Sequence, residues 1–288
     1  MLLLDNVVGK RFKVVLTSDW HIGNIASSDD AINEIIEYIG VNNCYWIFGG
    51  DGIEAKFVGH PHYNPEIHEG KYGIVTAQCD DWCKKAESVR KRLLGYVLGN
   101  HELNKGVKPV INCGKYITEK LCRNIPYAFT LKMRLAEEYI QFYTHSKIYV
   151  NSKSGSQAQI YLREAESIKR KLWGLPGVRD AHVVACGHGH KLRLAPPLTR
   201  TDIYGIDGLH AESNNKYTGG HSMHPDSKYY CMTGSTLKTT VAQVYDPEAD
   251  TGDILTYSEE AGYHASDMGF VLVTVDGGRP VNVEEIKL

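Results

Sequence analysis

The chain has 288 residues, of which 42% are hydrophobic and 23% are charged, and its formal net charge is −2. This composition is typical of a globular protein, and a charge near zero provides no overall field that would attract nucleic acid or an anionic membrane. The length exceeds that of most domains, although one α/β domain can reach it. No apolar stretch of the sequence is long enough to span a bilayer.

The N-terminal segment and the cysteines indicate the cellular compartment in which the protein is expected. The run Met1-Leu2-Leu3-Leu4 is too short for the apolar core of a signal peptide, and polar residues follow it at once. The seven cysteines are scattered and form no paired CxxC framework, which is typical of reduced, buried thiols. We therefore expect a cytoplasmic protein without a membrane partner. The alternative for Cys79 and Cys83, which are four residues apart, is a zinc-binding pair on a helix.

The first half of the chain alternates strands with helices and places a polar motif after each strand. The predicted elements are strands at 12–17, 44–48 and 96–98 and helices at 31–39 and 74–94. The three strands lead into Ser18-Asp19, Gly50-Asp51 and Gly99-Asn100. This alternation predicts parallel strands joined by crossover helices. In such sheets the carboxyl ends of the strands are where ligands gather.

The second half is predicted to form a β-rich second sheet. The predicted elements are strands at 127–135, 139–144, 182–186, 229–233, 240–245, 254–257 and 269–275 and a helix at 157–173. One strand leads into His145 and another into Gly187-His188-Gly189-His190. Segments 58–72 and 201–228 are long and polar, so we expect them to be accessory loops that rim the active site.

Five polar clusters punctuate these elements and supply carboxylate, amide and imidazole groups. They are Asp19-x-His21, Gly50-Asp51, Gly99-Asn100-His101-Glu102, His145 and Gly187-His188-Gly189-His190. Alone, the first two are ordinary turns and His145 is an ordinary half-buried histidine. Together, mixed oxygen and nitrogen donors favour manganese, iron or zinc over calcium. We expect the glycines to allow the backbone to turn sharply just after each strand.

The order and types of these residues resemble the calcineurin-like metallophosphoesterase superfamily over residues 12–191. The resemblance implies an α/β fold, namely a four-layer αββα sandwich of two mixed β-sheets flanked by helices, as a single domain over residues 1–288. It also implies two divalent metal ions, with manganese preferred and iron or zinc as alternatives. The implied ligands are Asp19, His21 and His190 for the first ion, Asn100, His145 and His188 for the second, and Asp51 as the bridge between them.

The resemblance further implies hydrolysis of phosphate esters by a hydroxide that bridges the two ions. His101 matches the family histidine that is not a ligand, so we expect it to be the general acid, and we expect Asn100 and His101 to bind substrate. Glu102 is the second expected catalytic residue, either holding the His101 loop or orienting its ring. His145 departs from the family pattern, because Thr144 stands where a glycine usually precedes this histidine.

Two further departures bear on the substrate. Glu54 stands where the family's repair nucleases carry a histidine, which argues against exonuclease activity. No arginine adjoins Asp51, Asn100 or His101, whereas protein phosphatases place arginines there to clamp a phosphomonoester dianion. We therefore expect a phosphodiesterase or nuclease acting on a nucleotide or nucleic acid. The alternatives are a phosphomonoesterase for nucleotides or phosphoproteins and, more distantly, a non-catalytic scaffold that retains the fold.

Two basic segments of the sequence offer contacts to nucleic acid. They are residues 84–92 and 169–171, each predicted to lie on a helix. Acidic residues are interspersed with both, so solvated helix faces are the favoured interpretation. No oligomeric state is predicted.

Overall fold

The structure is a computed structural model. It describes residues 1–5, 8–60, 63, 73–103, 111–121, 124–152, 155–198, 223–239 and 266–288, together with the backbone of 201–204 and 210–213. The strands predicted at 240–245 and 254–257 lie outside these residues. None of the helices within them combines the length and the apolar character that crossing a membrane requires.

The described helices and strands form the two halves of a sandwich, apart from one separate pair of strands. The helices are α1 (Asp29–Val41), α2 (Val75–Ala86), α3 (Cys113–Lys120) and α4 (Gln157–Trp173). The strands are β1 (Leu2–Asp5), β2 (Phe12–Thr17), β3 (Tyr45–Phe48), β4 (Leu93–Val97), β5 (Tyr127–Ala128), β6 (Thr130–Ala136), β7 (Tyr139–Thr144), β8 (Val183–Cys186), β9 (Leu192–Ala195), β10 (Thr201–Tyr204), β11 (His210–Ser213), β12 (Tyr229–Thr233), β13 (Gly269–Asp276) and β14 (Arg279–Lys287).

The first sheet has the strand order β14-β13-β2-β3-β4-β5. Its strands β2 to β5 run parallel, as predicted from the strand–helix alternation, and β13 and β14 add an antiparallel edge. Helix α1 begins after Ser28, whose side chain accepts a hydrogen bond from the backbone N–H of Ala31 at 3.3 Å. The isoleucines of α1 pack with Trp46 and Trp82 into a core between the helices and this sheet.

The second sheet has the order β1-β6-β7-β8-β12-β9, with parallel and antiparallel pairs, and strands β10 and β11 form a separate pair. Helix α4 covers one face of it through Ile168 and Leu172, and its other face packs on the first sheet through residues such as Leu16, Leu131 and Tyr143. The layers are therefore helix, sheet, sheet and helix, which confirms the predicted αββα sandwich of two mixed sheets.

The helix predicted at 74–94 is wrong in its second half. Helix α2 ends at Ala86, residues Glu87–Arg92 form a 3₁₀ helix, and β4 begins at Leu93. Leu93 packs into the core beneath the helices, whereas Leu94 packs into the core between the sheets. This alternation is that of a strand buried on both faces. The basic residues of 84–92 consequently do not share one helix.

The six described cysteines are free and buried, which confirms the expected burial of the thiols. Burial raises the pKa of the Cys83 thiol to about 12. The protonated thiol is thereby favoured over the thiolate that a metal ion requires. The zinc-pair alternative for Cys79 and Cys83 therefore has no support from their surroundings.

Candidate metal centre

The expected ligands follow strands of both sheets. Asp19, Asp51 and Asn100 come just after β2, β3 and β4 of the first sheet, and His145 and His188 come just after β7 and β8 of the second. The paired strands β2, β3 and β4 run parallel, as do β7 and β8. Their carboxyl ends therefore lie at one edge of the sandwich, where the side chains meet.

The first cluster consists of Asp19, His21 and His190. One ligand atom from each lies within 4.8 Å of the other two. His190 Nε2 is 3.3 Å from Asp19 Oδ1 and 3.2 Å from His21 Nε2. Asp19 and His21 are buried. Two imidazoles and one carboxylate thus converge on one point, a donor set suited to a first-row transition metal.

The second cluster consists of Asp51, His145 and His188, whose ligand atoms also lie within 4.8 Å of one another. His145 Nε2 is 2.9 Å from Asp51 Oδ2 and 3.9 Å from Asp19 Oδ1. His21 Nε2 of the first cluster is 3.9 Å from Asp51 Oδ2. The Asp51 carboxylate therefore lies between the two clusters, as a bridging ligand would.

Asn100 provides the test of whether these residues suit a cation. Its side-chain Oδ1 is buried and has no hydrogen-bond partner in the structure. A buried polar atom left in this way costs free energy unless a water or an ion satisfies it. An amide oxygen is a normal ligand for a hard cation. The donor set and this unsatisfied oxygen together fit a metal centre.

His101 lies between the two clusters, and its ring forms a third group with His21 and Asp51 whose ligand atoms lie within 4.8 Å of one another. Its backbone N–H donates to Asp51 Oδ1 at 2.9 Å, and its Nδ1 is 2.7 Å from the carbonyl oxygen of Glu54. Its Nε2 is 3.9 Å from Asp51 Oδ2, and its ring packs edge-on against His21 at 4.6 Å. Burial would lower the pKa of His101, but the charges of Asp51 and Glu54 raise it above its ordinary value.

Glu102 contacts the backbone of two ligand loops. Its carboxylate accepts hydrogen bonds from the N–H groups of Asp51 at 3.2 Å, Gly52 at 2.8 Å and Gly99 at 2.8 Å. A fourth hydrogen bond comes from the hydroxyl of Tyr96 at 2.9 Å. Glu102 therefore fixes the loop after β3 to the loop after β4. The group that flanks the His101 ring is Glu54.

Sequence reasoning did not identify the contacts of Glu54, which is buried. Its Oε2 is 3.0 Å from His21 Nδ1, and its Oε1 is 2.7 Å from Lys56 Nζ. A carboxylate that accepts the second ring N–H of a ligand histidine fixes the tautomer and the orientation of that ring. The signal in the sequence is an acidic residue three positions after Asp51.

Five of the seven expected ligands adopt the left-handed backbone conformation that side chains disfavour. The φ angles are 57° at Asp19, 49° at His21, 51° at Asp51, 81° at His188 and 50° at His190. Such a conformation costs about 1–3 kcal/mol per residue and persists only where neighbouring contacts impose it. Here the N–H of Asp19 donates to the Gly50 carbonyl at 2.9 Å, and that of His188 donates to Asp19 Oδ2 at 3.0 Å.

The glycines of the motifs allow neighbouring loops to pack closely as well as allowing the backbone to turn sharply. Gly50 has a φ of 96°, as the expected turn requires. At Gly99, however, a Cβ would lie 2.0 Å from Asp51 Oδ1 and 2.3 Å from Asp51 N. At Gly187 it would lie 2.7 Å from His145 Nδ1. These two glycines leave room for the ligands of the neighbouring loop.

The charges of the site distribute its protons unevenly. Burial would lower the pKa of His145, but Asp51 and Asp19 raise it to about 10. Burial, aided by His145, lowers the pKa of His188 to about 4. Burial would raise the pKa of Asp51, but the neighbouring histidines, His145 foremost, hold it well below its usual range. Without a cation, the acidic residues therefore hold a proton on His145, which a cation would replace.

Most residues of the predicted accessory loops 58–72 and 201–228 lie outside the described part of the chain. These are residues 61–62, 64–72, 205–209 and 214–222. That these segments rim the site stays a prediction.

No family model matches this chain, and no curated protein matches it. Among solved structures, the phosphoesterase YfcE from E. coli is 13% identical, with 96% of this chain and 100% of that chain covered and a TM-score of 0.38. GAP50, the anchor in the inner membrane complex of Plasmodium, is 11% identical, with 97% and 90% covered and a TM-score of 0.33. At these identities and TM-scores, neither neighbour identifies the activity of this chain.

Proposed function

We propose that this chain is a metal-dependent hydrolase of phosphate esters that uses two divalent cations, with manganese as the first candidate and iron or zinc as alternatives. The observation that carries the proposal is the meeting of two histidine–carboxylate clusters at Asp51. Either cluster alone would be a common polar contact. Two that lie on either side of one carboxylate have the donor set of a dinuclear centre.

Asp19, His21 and His190 hold the first cation, Asn100, His145 and His188 hold the second, and Asp51 serves both. When bound, the pair of cations neutralises charge on the phosphate and makes a water molecule nucleophilic near neutral pH. Asn100 and His101 contact the substrate phosphate. The cytoplasm is the proposed location, because free buried cysteines suit a reducing compartment.

His101 is the proposed general acid. Its Nδ1–H donates to the carbonyl oxygen of Glu54, which leaves Nε2 to exchange a proton with the leaving oxygen. Glu102 is a positioning residue, because its carboxylate holds the backbone of the Asp51 and Gly99 loops. Glu54 likewise positions both His21 and His101.

The proposed substrate is a phosphodiester of a nucleotide or nucleic acid, which makes the enzyme a phosphodiesterase or nuclease. A phosphomonoester dianion is best held by cations whose charge is not already compensated. Lys56 is a cation near the site, since its charge opposes the rise in the pKa of His101. However, Lys56 Nζ is 2.7 Å from Glu54 Oε1, so its charge is already compensated. A diester carries less charge and needs such a cation less.

A paired assay with Mn²⁺ tests the activity and the substrate preference together. The parent protein is expected to hydrolyse bis-(p-nitrophenyl) phosphate faster than p-nitrophenyl phosphate. Faster turnover of the monoester would replace the diesterase with a phosphomonoesterase. If Mn²⁺ bound while neither these esters nor a nucleotide or nucleic acid were hydrolysed, the scaffold alternative would replace both.

The ligand assignment is tested by Asp51→Asn and His188→Ala. Both substitutions are expected to abolish metal-dependent hydrolysis while the far-ultraviolet circular dichroism spectrum stays that of the parent. Asp276→Asn is the matched control, because Asp276 is half exposed and pairs with Arg11 instead. Parental turnover in Asp51→Asn would show that the shared carboxylate is not a ligand.

A further inference from the structure

Tyr149 lies beside the second cluster, although none of the sequence motifs includes it. Its neighbours Ile148 and Val150 are buried in the core beneath α4, whereas Tyr149 is 54% exposed. The alternation turns the Tyr149 ring outward, over the ligand loops. Lys171 of α4 donates a hydrogen bond to the Tyr149 carbonyl oxygen, so the backbone is held as well.

The phenol of Tyr149 contacts one of the expected ligands directly. Its hydroxyl oxygen is 2.6 Å from His188 Nε2, and the two rings pack edge-on with centroids 4.8 Å apart. Nε2 of His188 thus points toward the solvent-exposed tyrosine. The same ring supplies a ligand atom to the cluster with Asp51 and His145.

Which nitrogen of the neutral His188 ring carries the proton determines whether the ring can bind a cation while it contacts Tyr149. If the phenol donated to Nε2, the ring proton would sit on Nδ1, and neither nitrogen would keep a free lone pair. If Nε2–H donates to the phenol oxygen, Nδ1 keeps its lone pair for a cation. Only the second arrangement lets His188 be a ligand while the contact is kept.

We propose that Tyr149 is a positioning residue whose phenol engages Nε2 of His188 and orients the ring, so that Nδ1 is the atom that ligates the second cation. This role presupposes the proposed metal centre and adds to it the nitrogen that His188 uses. Outer partners of this kind typically contribute 10–100-fold to metal affinity.

The test is Tyr149→Phe, which keeps the aromatic ring and removes the hydroxyl. Tyr116→Phe is the matched control, because its hydroxyl donates to Asp80, a residue outside the clusters, at 2.8 Å. In the Zn²⁺-loaded parent, nitrogen-15 NMR of the His188 ring is expected to show a metal-bound Nδ1 and a protonated Nε2, whereas in Tyr149→Phe the ring can turn and present either nitrogen to the metal. Calorimetric titration with Mn²⁺ is expected to show one of two sites weakened by about 10–100-fold, with the other unchanged.

The outcomes separate this role from the proposed function. A parent that binds two Mn²⁺ ions as tightly as Tyr149→Phe, with identical ring shifts, would overturn the role of Tyr149 and leave the metal centre intact. A parent that binds no metal would overturn the centre and the role together. An absorption band of the ferric protein that disappears in Tyr149→Phe would make the phenol itself a ligand, which also overturns the positioning role.

Discussion

The surroundings of His101 suit proton transfer. Its backbone N–H and its Nδ1 are both engaged, by Asp51 and by the Glu54 carbonyl, so the ring orientation is fixed. The side chain is 22% exposed, close to the 26% of the expected ligand His190, whereas those of His21 and His145 are almost fully buried. A fixed ring with one nitrogen free and partly open to solvent can deliver a proton to a leaving group.

His101→Ala is therefore expected to slow hydrolysis according to the leaving group. For an alkyl diester the loss is expected to be about 10²–10⁴-fold, because a departing alkoxide needs a proton. For a p-nitrophenyl diester it is expected to be much smaller, because that anion is stable. The measurement is kcat for both esters with Mn²⁺, and His224→Ala, at a half-exposed histidine outside the clusters, is the control. An equal loss for both esters would remove the acid role and leave a positioning role.

At the scale of elements, the sequence predicted best those segments whose apolar residues follow the period of one helix or one strand. The strands β2, β7 and β12 and helix α4 have the predicted bounds, because their apolar residues recur at the period of a single element. β14 was missed because it is an edge strand with a mostly exposed, charged sequence. The helix predicted at 74–94 was wrong beyond Ala86, because Glu87–Arg92 form a 3₁₀ helix and Leu93 and Leu94, in β4, face different cores.

Some features of the candidate site could likewise be predicted from the sequence, and others could not. The meeting of the motif residues follows from their positions after strands, so the sequence could predict it. The contacts of Glu54 and Tyr149 depend on how loops from different strands pass one another, which local pattern does not encode. The left-handed backbone at Asp19 and His190 is equally hidden, because tertiary contacts impose it on residues that would otherwise avoid it.

The junction between β7 and β8 carries a pH-dependent contact away from the metal centre. His182, just before β8, accepts a hydrogen bond at Nδ1 from the backbone N–H of Ile140 at 3.1 Å. Burial, reinforced by the charge of Lys228, lowers the pKa of His182 to about 4 from an ordinary value of 6.5. Protonation would turn the acceptor into a donor that faces another donor.

Stability is expected to fall as pH falls from about 6.5 to about 4. In this window the unfolded chain binds the proton on His182 and the folded chain does not, so the free energy of unfolding rises with pH. The contribution of His182 is at most about 3 kcal/mol, at about 1.4 kcal/mol per pKa unit. Urea unfolding at several pH values should show a shallower dependence in His182→Gln, whose amide oxygen can still accept from Ile140. An unchanged dependence would contradict the role of His182.

At the scale of the whole molecule, the candidate centre lies where the two sheets meet. β2, β3 and β4 of one sheet and β7 and β8 of the other each lead into an expected ligand. Without cations, the carboxylates of Asp19 and Asp51 lie close together, since His145 Nε2 is within 3.9 Å of both. Bound cations would offset this repulsion and tie the two sheets together, so metal binding is expected to stabilise the entire sandwich.

Mn²⁺ is therefore expected to raise the melting temperature of the metal-free protein, and EDTA is expected to reverse the rise. At a free concentration 100 times the dissociation constant, each site adds about 2.7 kcal/mol to the free energy of unfolding. Scanning calorimetry at several Mn²⁺ concentrations measures the effect. Asp51→Asn should lose most of the shift, because both sites share that carboxylate, whereas His101→Ala and Asp276→Asn should keep it. A full shift in Asp51→Asn would place the stabilising cation elsewhere and separate metal binding from the proposed centre.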